Sequence, residues 1–225
     1  MRLRSVIAIV AALAVGLVAG FLIAPGEMDT KLDRNLRLYA VAEQARSAIL
    51  ASSSATTTLQ TWCRDHQLAP EPRIVATNEA GATAPLSAAQ RADLQVGPVE
   101  QVRYRRVRLT CGDRLLSEAE NWYVPDRLTS DMNVQLDRTT TPFGTVVQSL
   151  TPSRTTLRTT FDWQLLPGDW PQEDISELRE NATETTFDPN RTVFSVEAVL
   201  RRAEDRMPIS LVRENYKQGL LAWLN

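Results

Sequence analysis

Residues Val6 to Ala24 run nineteen positions without a charge, directly after Met1-Arg2-Leu3-Arg4. This segment constrains the chain most, because it decides on which side of a membrane the remainder folds. At ~1.5 Å rise per residue, such a helix nearly crosses a ~30 Å hydrocarbon layer. Arg2 and Arg4 precede the run, and the first acidic residue after it is Glu27. The positive-inside rule then keeps the N-terminus cytoplasmic and sends the rest across. A secretory signal has the same basic-then-apolar design. Here Pro25 follows Ala24 at once, a poor context for cleavage. The expectation is a single-pass inner-membrane anchor over 1–25, with a cleaved signal as the alternative and a periplasmic C-terminal part.

About two hundred residues follow, enough for one domain with a full core. A net charge of −2 gives no reason to expect nucleic-acid binding. His66 is the sole histidine and lies in a polar stretch, so it reads as a surface helix residue. Histidine-based triads and multi-histidine metal sites have no residues to build them, and no metal or cofactor is expected. Cys63 and Cys111 are the only cysteines. In an oxidising compartment they could form a disulfide; otherwise they are two small buried apolar side chains.

Periodicity orders the chain. Leu32, Leu36, Ala40, Val41, Ala45 and Ile49 recur at helical spacing, so residues 26–51 read as a stalk-like helix leaving the membrane. A hydroxyl-rich break over 52–58 precedes a helix at 59–67, with its threonines as caps. Strands are expected at 73–76, 99–111, 114–124, 144–150 and 155–165, and a hairpin at 192–203 and 209–216. Gly112-Asp113 marks the turn of the first long hairpin. Short helices are expected at 87–94, 128–136 and 220–224, and residues 167–190 form a polar loop. Strands that follow strands through tight turns define an α+β fold. The expected architecture is an antiparallel sheet of about six strands with helices packed on one side, spanning 52–225.

Strand alternation sorts the side chains. Val107, Leu109 and Cys111 share one face of their strand; Tyr104, Arg106, Arg108 and Thr110 share the other. Val212, Glu214 and Tyr216 share a face on the last strand. An antiparallel sheet can leave one face free for a ligand. An arginine there can grip a carboxylate through its two-pronged fork, and an enclosed glutamate can supply a proton. Solvated cross-strand pairs are the simpler use of such residues.

Several stretches resemble the chorismate lyase family and the related ligand-binding (UTRA-like) domains of some bacterial transcription regulators. They are Arg106-Val-Arg-Leu-Thr-Cys111-Gly-Asp, Asn121-Trp-Tyr-Val-Pro125, Thr141-Pro-Phe-Gly144 and Met207-Pro-Ile-Ser-Leu-Val-Arg-Glu214-Asn-Tyr216. Thr56-Thr-Thr-Leu59, opening a helix, is similar too, so the resemblance runs over about 52–218. It implies an antiparallel sheet enclosing a ligand under flaps. It implies Arg106 as the ligand-carboxylate residue, Phe143 and Gly144 as pocket lining and Glu214 as general acid, without a cofactor.

Two functions follow. One is an exported, membrane-tethered, non-catalytic module that binds a small aromatic carboxylate or an envelope protein. The other is a cofactor-independent lyase that eliminates pyruvate from chorismate or a related carboxylate. Export away from the cytoplasmic chorismate pool favours the module.

Overall fold

The structure, a computed structural model, describes residues 31–79 and 81–224. The apolar segment Val6–Ala24, and with it the expected anchor, lies outside them. Among the described residues no helix is long and apolar enough to cross a membrane.

Six strands form one sheet: β1 Ile74–Asn78, β2 Arg103–Cys111, β3 Arg114–Tyr123, β4 Ser153–Phe161, β5 Thr192–Arg201 and β6 Pro208–Lys217. Their order is β1-β2-β3-β6-β5-β4, and every neighbouring pair is antiparallel. Alternation is clean in β2, which buries Arg105, Val107, Leu109 and Cys111, whereas β3, β5 and β6 bury residues on both faces. Gly112 sits first in the two-residue β2–β3 loop with φ +60°, as a type II′ hairpin requires. A Cβ there would also stand 2.9 Å from Ala69 Cβ.

One face, here the inner face, carries most of the helices. α1 Lys31–Ala51 and α2 Ala55–Asp65 cover one end of it, and α4 Ser130–Arg138 and α5 Phe143–Val146 cover the other. The first core joins Leu38, Ala42 and Ile49 of α1 to Leu59 and Trp62 of α2 and to Val107, Ala119 and Val196 of the sheet. The second joins Met132, Leu136, Phe143 and Val146 to Ala198, Leu200 and Val212. A seam between the two runs over the middle of the sheet.

Several elements differ from expectation. The stalk-like helix does not stand free: α1 buries Leu32, Leu38, Ala42, Ala45 and Ile49. Asn35 also donates to the Thr183 carbonyl and accepts from the Thr185 hydroxyl. Residues 144–150 are not a strand but α5 and a 3-10 turn, Gln148–Leu150. Phe143, Val146 and Val147 lie three and four apart and all turn into the second core, which a short apolar run cannot reveal by period alone. Ser54, not a threonine, caps α2 by accepting from the Thr57 amide. α3 Ala88–Asp93 lies on the outer face, where its C-cap Leu94 meets Trp122, Val199 and Leu211. The loop over 167–190 contains α6 Ile175–Asn181, and Trp170 packs on Tyr39, ring centroids 5.7 Å apart.

Cys63 and Cys111 are disulfide-bonded, joining α2 to the end of β2.

Candidate functional site: the inner-face seam

Glu214 stands where the two cores part. Alternation on β6 places it between the buried Val212 and Tyr216, in register with Ala119 on one side and Val196 on the other. Its Oε2 accepts from the Arg154 guanidinium and from the Tyr216 hydroxyl, the latter at 2.8 Å. Arg154, near the start of β4, is 3% exposed along its side chain and Glu214 12%. The second prong of Arg154 reaches the Ile49 carbonyl at 3.2 Å. That carbonyl lies in the last turn of α1, where helix carbonyls lack intrahelical partners and attract cations. Burial first, and the Glu214 charge second, push the Tyr216 hydroxyl well above the ordinary phenol range, so it serves only as a neutral donor. Both donors converge on one oxygen. Glu214 Oε1 has no partner among the described residues.

Above this pair lies a small cavity of about 40 Å³, walled by Val107, Leu109, Phe143, Leu200 and Val212. It adjoins a cleft of about 460 Å³ rimmed by Ser52–Ser54, Thr57, Gly144, Thr145 and Thr151. The two share Ser53, Ser54, Gly144 and Leu200. Gly144 faces the start of α2: a Cβ there would meet the hydroxyls of Ser54 and Thr56 at 3.7 and 3.9 Å. Arg105, buried on the inner face, donates to the carbonyls of Thr139 and Thr141 at 3.2 and 2.9 Å. It thereby fixes the segment that delivers Pro142, Phe143 and Gly144.

Of the expected site residues, Glu214, Phe143 and Gly144 come together in this seam. Arg106 does not. It points from the outer face, 3.4 Å from Glu79 and 3.7 Å from Glu118. The reason is register. Val107, not Arg106, aligns with Ala119 and so with Glu214, and neighbouring residues on a strand face opposite ways. Arg106 belongs instead to a row of alternating charge across the outer face. Arg106 pairs in register with Glu120, Glu120 with Arg213 and Arg213 with Glu197, and Arg158 lies 3.5 Å from Glu197. Tyr104 donates to Glu120 at 2.7 Å. Burial, then that contact, pushes its hydroxyl up to about 12.

Sequence reading missed Arg154. The strand was expected to begin at Thr155, and a register shift between Thr156 and Arg158 interrupts the alternation that would have aimed Arg154 inward. The serine and threonine rim was visible as a hydroxyl-rich break, but nothing in it announced a cleft. Among the described residues no group of three His, Cys, Asp or Glu side chains could hold a metal ion.

Fold and site together define an α+β domain with a polar cleft let into its helix-covered face. No known family's sequence model matches the chain. It is 41% identical over 193 residues to the uncharacterised protein y4mC of Sinorhizobium fredii, a match covering 85% of this chain and 79% of that protein. The chain belongs to the family of that protein. Among solved structures it is similar to PhnF from Mycobacterium smegmatis, with TM-score 0.45, 14% identity, and 75% of this chain and 65% of that chain covered. The effector domain of the same PhnF gives TM-score 0.44 and 14% identity, with 73% and 88% covered. YydK from Bacillus subtilis, described as a possible transcriptional regulator, gives 0.40 and 9%, with 65% and 59% covered. The chain thus spans less than two thirds of PhnF and of YydK.

Proposed function

We propose that this chain is a non-catalytic module that binds a small molecule in the inner-face seam and is held outside the cytoplasm by Val6–Ala24. The observation that carries the binding role is the Glu214–Arg154–Tyr216 cluster. It is a buried polar constellation whose Glu214 and Arg154 line a cavity of about 40 Å³, and that cavity adjoins a cleft of about 460 Å³. Small-molecule sites are concave pockets of this order with few, well-placed polar groups. The disulfide supports placement in an oxidising compartment, because such bonds persist there and are rare in the cytoplasm.

The lyase reading has one point in its favour: Glu214 meets Phe143 and Gly144 as the chorismate lyase resemblance implies. Its carboxylate-gripping arginine is missing from the seam, since Arg106 lies on the other face and Arg154 is engaged by Glu214. The test is incubation of the purified full-length chain with chorismate and an assay for released pyruvate. The proposal expects none. Pyruvate release that Glu214→Gln abolishes would establish the lyase instead.

A further inference from the structure

We infer that the outer face carries a second binding site, for a small organic anion. Its acid group, a carboxylate or a phosphate, lies against Arg108, and its apolar body lies against Phe187. The site is separate from the seam and does not depend on the reading given for it.

Charge is the first reason. On this face Arg106, Arg158, Arg213 and Lys217 lie 3.4, 3.5, 3.8 and 3.0 Å from a glutamate carboxylate. Arg108 has no such partner. It is exposed, and its guanidinium forms no hydrogen bond or ion pair among the described residues. Glu118, its register neighbour on β3, is taken by Lys217 at 3.0 Å and Arg106 at 3.7 Å. Arg114 also lacks a carboxylate partner among the described residues. It donates to the Leu68 carbonyl, which holds the guanidinium in place without neutralising it. Both arginines line one cavity of about 570 Å³, whose lining includes a single acidic residue, Asp113. Two cations thus face one anion. A guanidinium fork can give two parallel hydrogen bonds to a carboxylate or phosphate.

Shape is the second reason. The cavity lies where the β2–β3 hairpin meets residues 187–190 and the C-terminal 3-10 turn Gln218–Leu224. Its volume falls in the range of small-molecule sites. Its wall is fixed in advance. The Asp188 amide donates to Gln218 Oε1 at 2.8 Å, the Gln218 amide to the Arg191 carbonyl at 2.9 Å and the Gly219 amide to the Pro189 carbonyl at 3.3 Å. A Cβ on Gly219 would stand 2.1 Å from the Leu115 carbonyl oxygen, so the turn lies directly on β3. The hydroxyls of Thr77 and Thr110 and the side-chain amide of Asn190 also line the cavity, without hydrogen-bond partners among the described residues. They can donate to the oxygens that Arg108 leaves unmet. Phe187 and Ala222 supply the apolar wall.

The purified full-length chain would be titrated by calorimetry with phenyl phosphate, benzoate, inorganic phosphate and the neutral benzyl alcohol. The expected result is saturable binding of phenyl phosphate or benzoate, and the tighter of the two identifies the acid group. Benzyl alcohol and inorganic phosphate, each lacking one half of the ligand, should bind more weakly. Arg108→Ala should weaken binding about tenfold or more, the loss of a charge-assisted contact; the residue is exposed and without a side-chain partner, so the fold survives. Asp113→Asn should tighten binding. Arg213→Ala, which removes an outer-face arginine away from this cavity, should leave it unchanged. Binding of neither aromatic anion would overturn the inference. So would binding that survives Arg108→Ala, an equal loss in Arg213→Ala, or benzyl alcohol or inorganic phosphate bound as tightly as the aromatic anions.

Discussion

Glu214 holds two donors on one oxygen, so its removal acts on its neighbours more than on itself. Glu214→Ala would leave the Arg154 guanidinium buried with only the Ile49 carbonyl. Breaking a buried pair from one side typically costs about 3–5 kcal/mol, and urea unfolding of this variant should show a loss of that order. The double change Arg154→Met with Glu214→Leu removes both charges and should recover most of it. If single and double variants lost the same amount, the pair would not be the coupled unit described here. His66 offers a second test. It lies between Trp62 and Trp223, ring centroids 4.3 and 4.4 Å away, and is nearly parallel to Trp223. Burial lowers its pKa below 6.5 despite the raising effect of Asp65. The folded state therefore prefers the neutral ring. Its contribution is complete above pH 6.5 and falls as the unfolded chain takes up the proton, levelling off below the folded value. Tryptophan fluorescence should report loosening of the C-terminal turn on acidification through that range, and His66→Gln should remove the step. At this scale the inward aim of Glu214 was legible from the sequence, because alternation puts it on one face with Val212 and Tyr216. Its companion was not, because a bulge in β4 hides which way Arg154 points.

Among the elements, the long hairpins were readable because a period of two and a glycine turn signal each other. β2 and β3 end within a residue or two of expectation, and β5 and β6 pair as foreseen. α5 was not readable: four residues cannot display a helical period, and Pro142 ahead of Phe143 fixes a φ that suits either a strand or a helix start. The disulfide binds elements that sequence kept apart. It closes a separation of 48 residues between α2 and β2. On the loop-entropy relation, opening it should cost about 4 kcal/mol. The double variant Cys63→Ser/Cys111→Ser should accordingly show a lower urea midpoint. An unchanged midpoint in the wild-type chain with and without reductant would mean that the two sulfurs are not joined in solution.

For the whole molecule, the informative surprise is α1. Its apolar spacing was plain in the sequence, but spacing cannot say whether a helix covers its own domain or stands apart from it. In the structure Leu32 to Ile49 form a wall of the main core, and the last turn of α1 receives Arg154. Stability should therefore depend on it. Residues 31–225 should unfold in one cooperative transition, whereas residues 52–225, which lack that wall and leave Arg154 short of a partner, should give a broad transition or aggregate. Two equally sharp melting curves would return α1 to the role of a stalk. The same placement ties the proposed anchor to the site, since the helix leading from the N-terminal segment forms one side of the seam.

The seam itself is tested most directly by backbone amide shifts of the chain during titration with myo-inositol, D-glucose and D-glucuronate. The account predicts shifts gathered in Ser52–Thr57, Phe143–Thr151 and the strand around Glu214, with Arg106 and the outer charge row unmoved. Shifts centred on Arg106 and its charge row, or no shift anywhere, would contradict it.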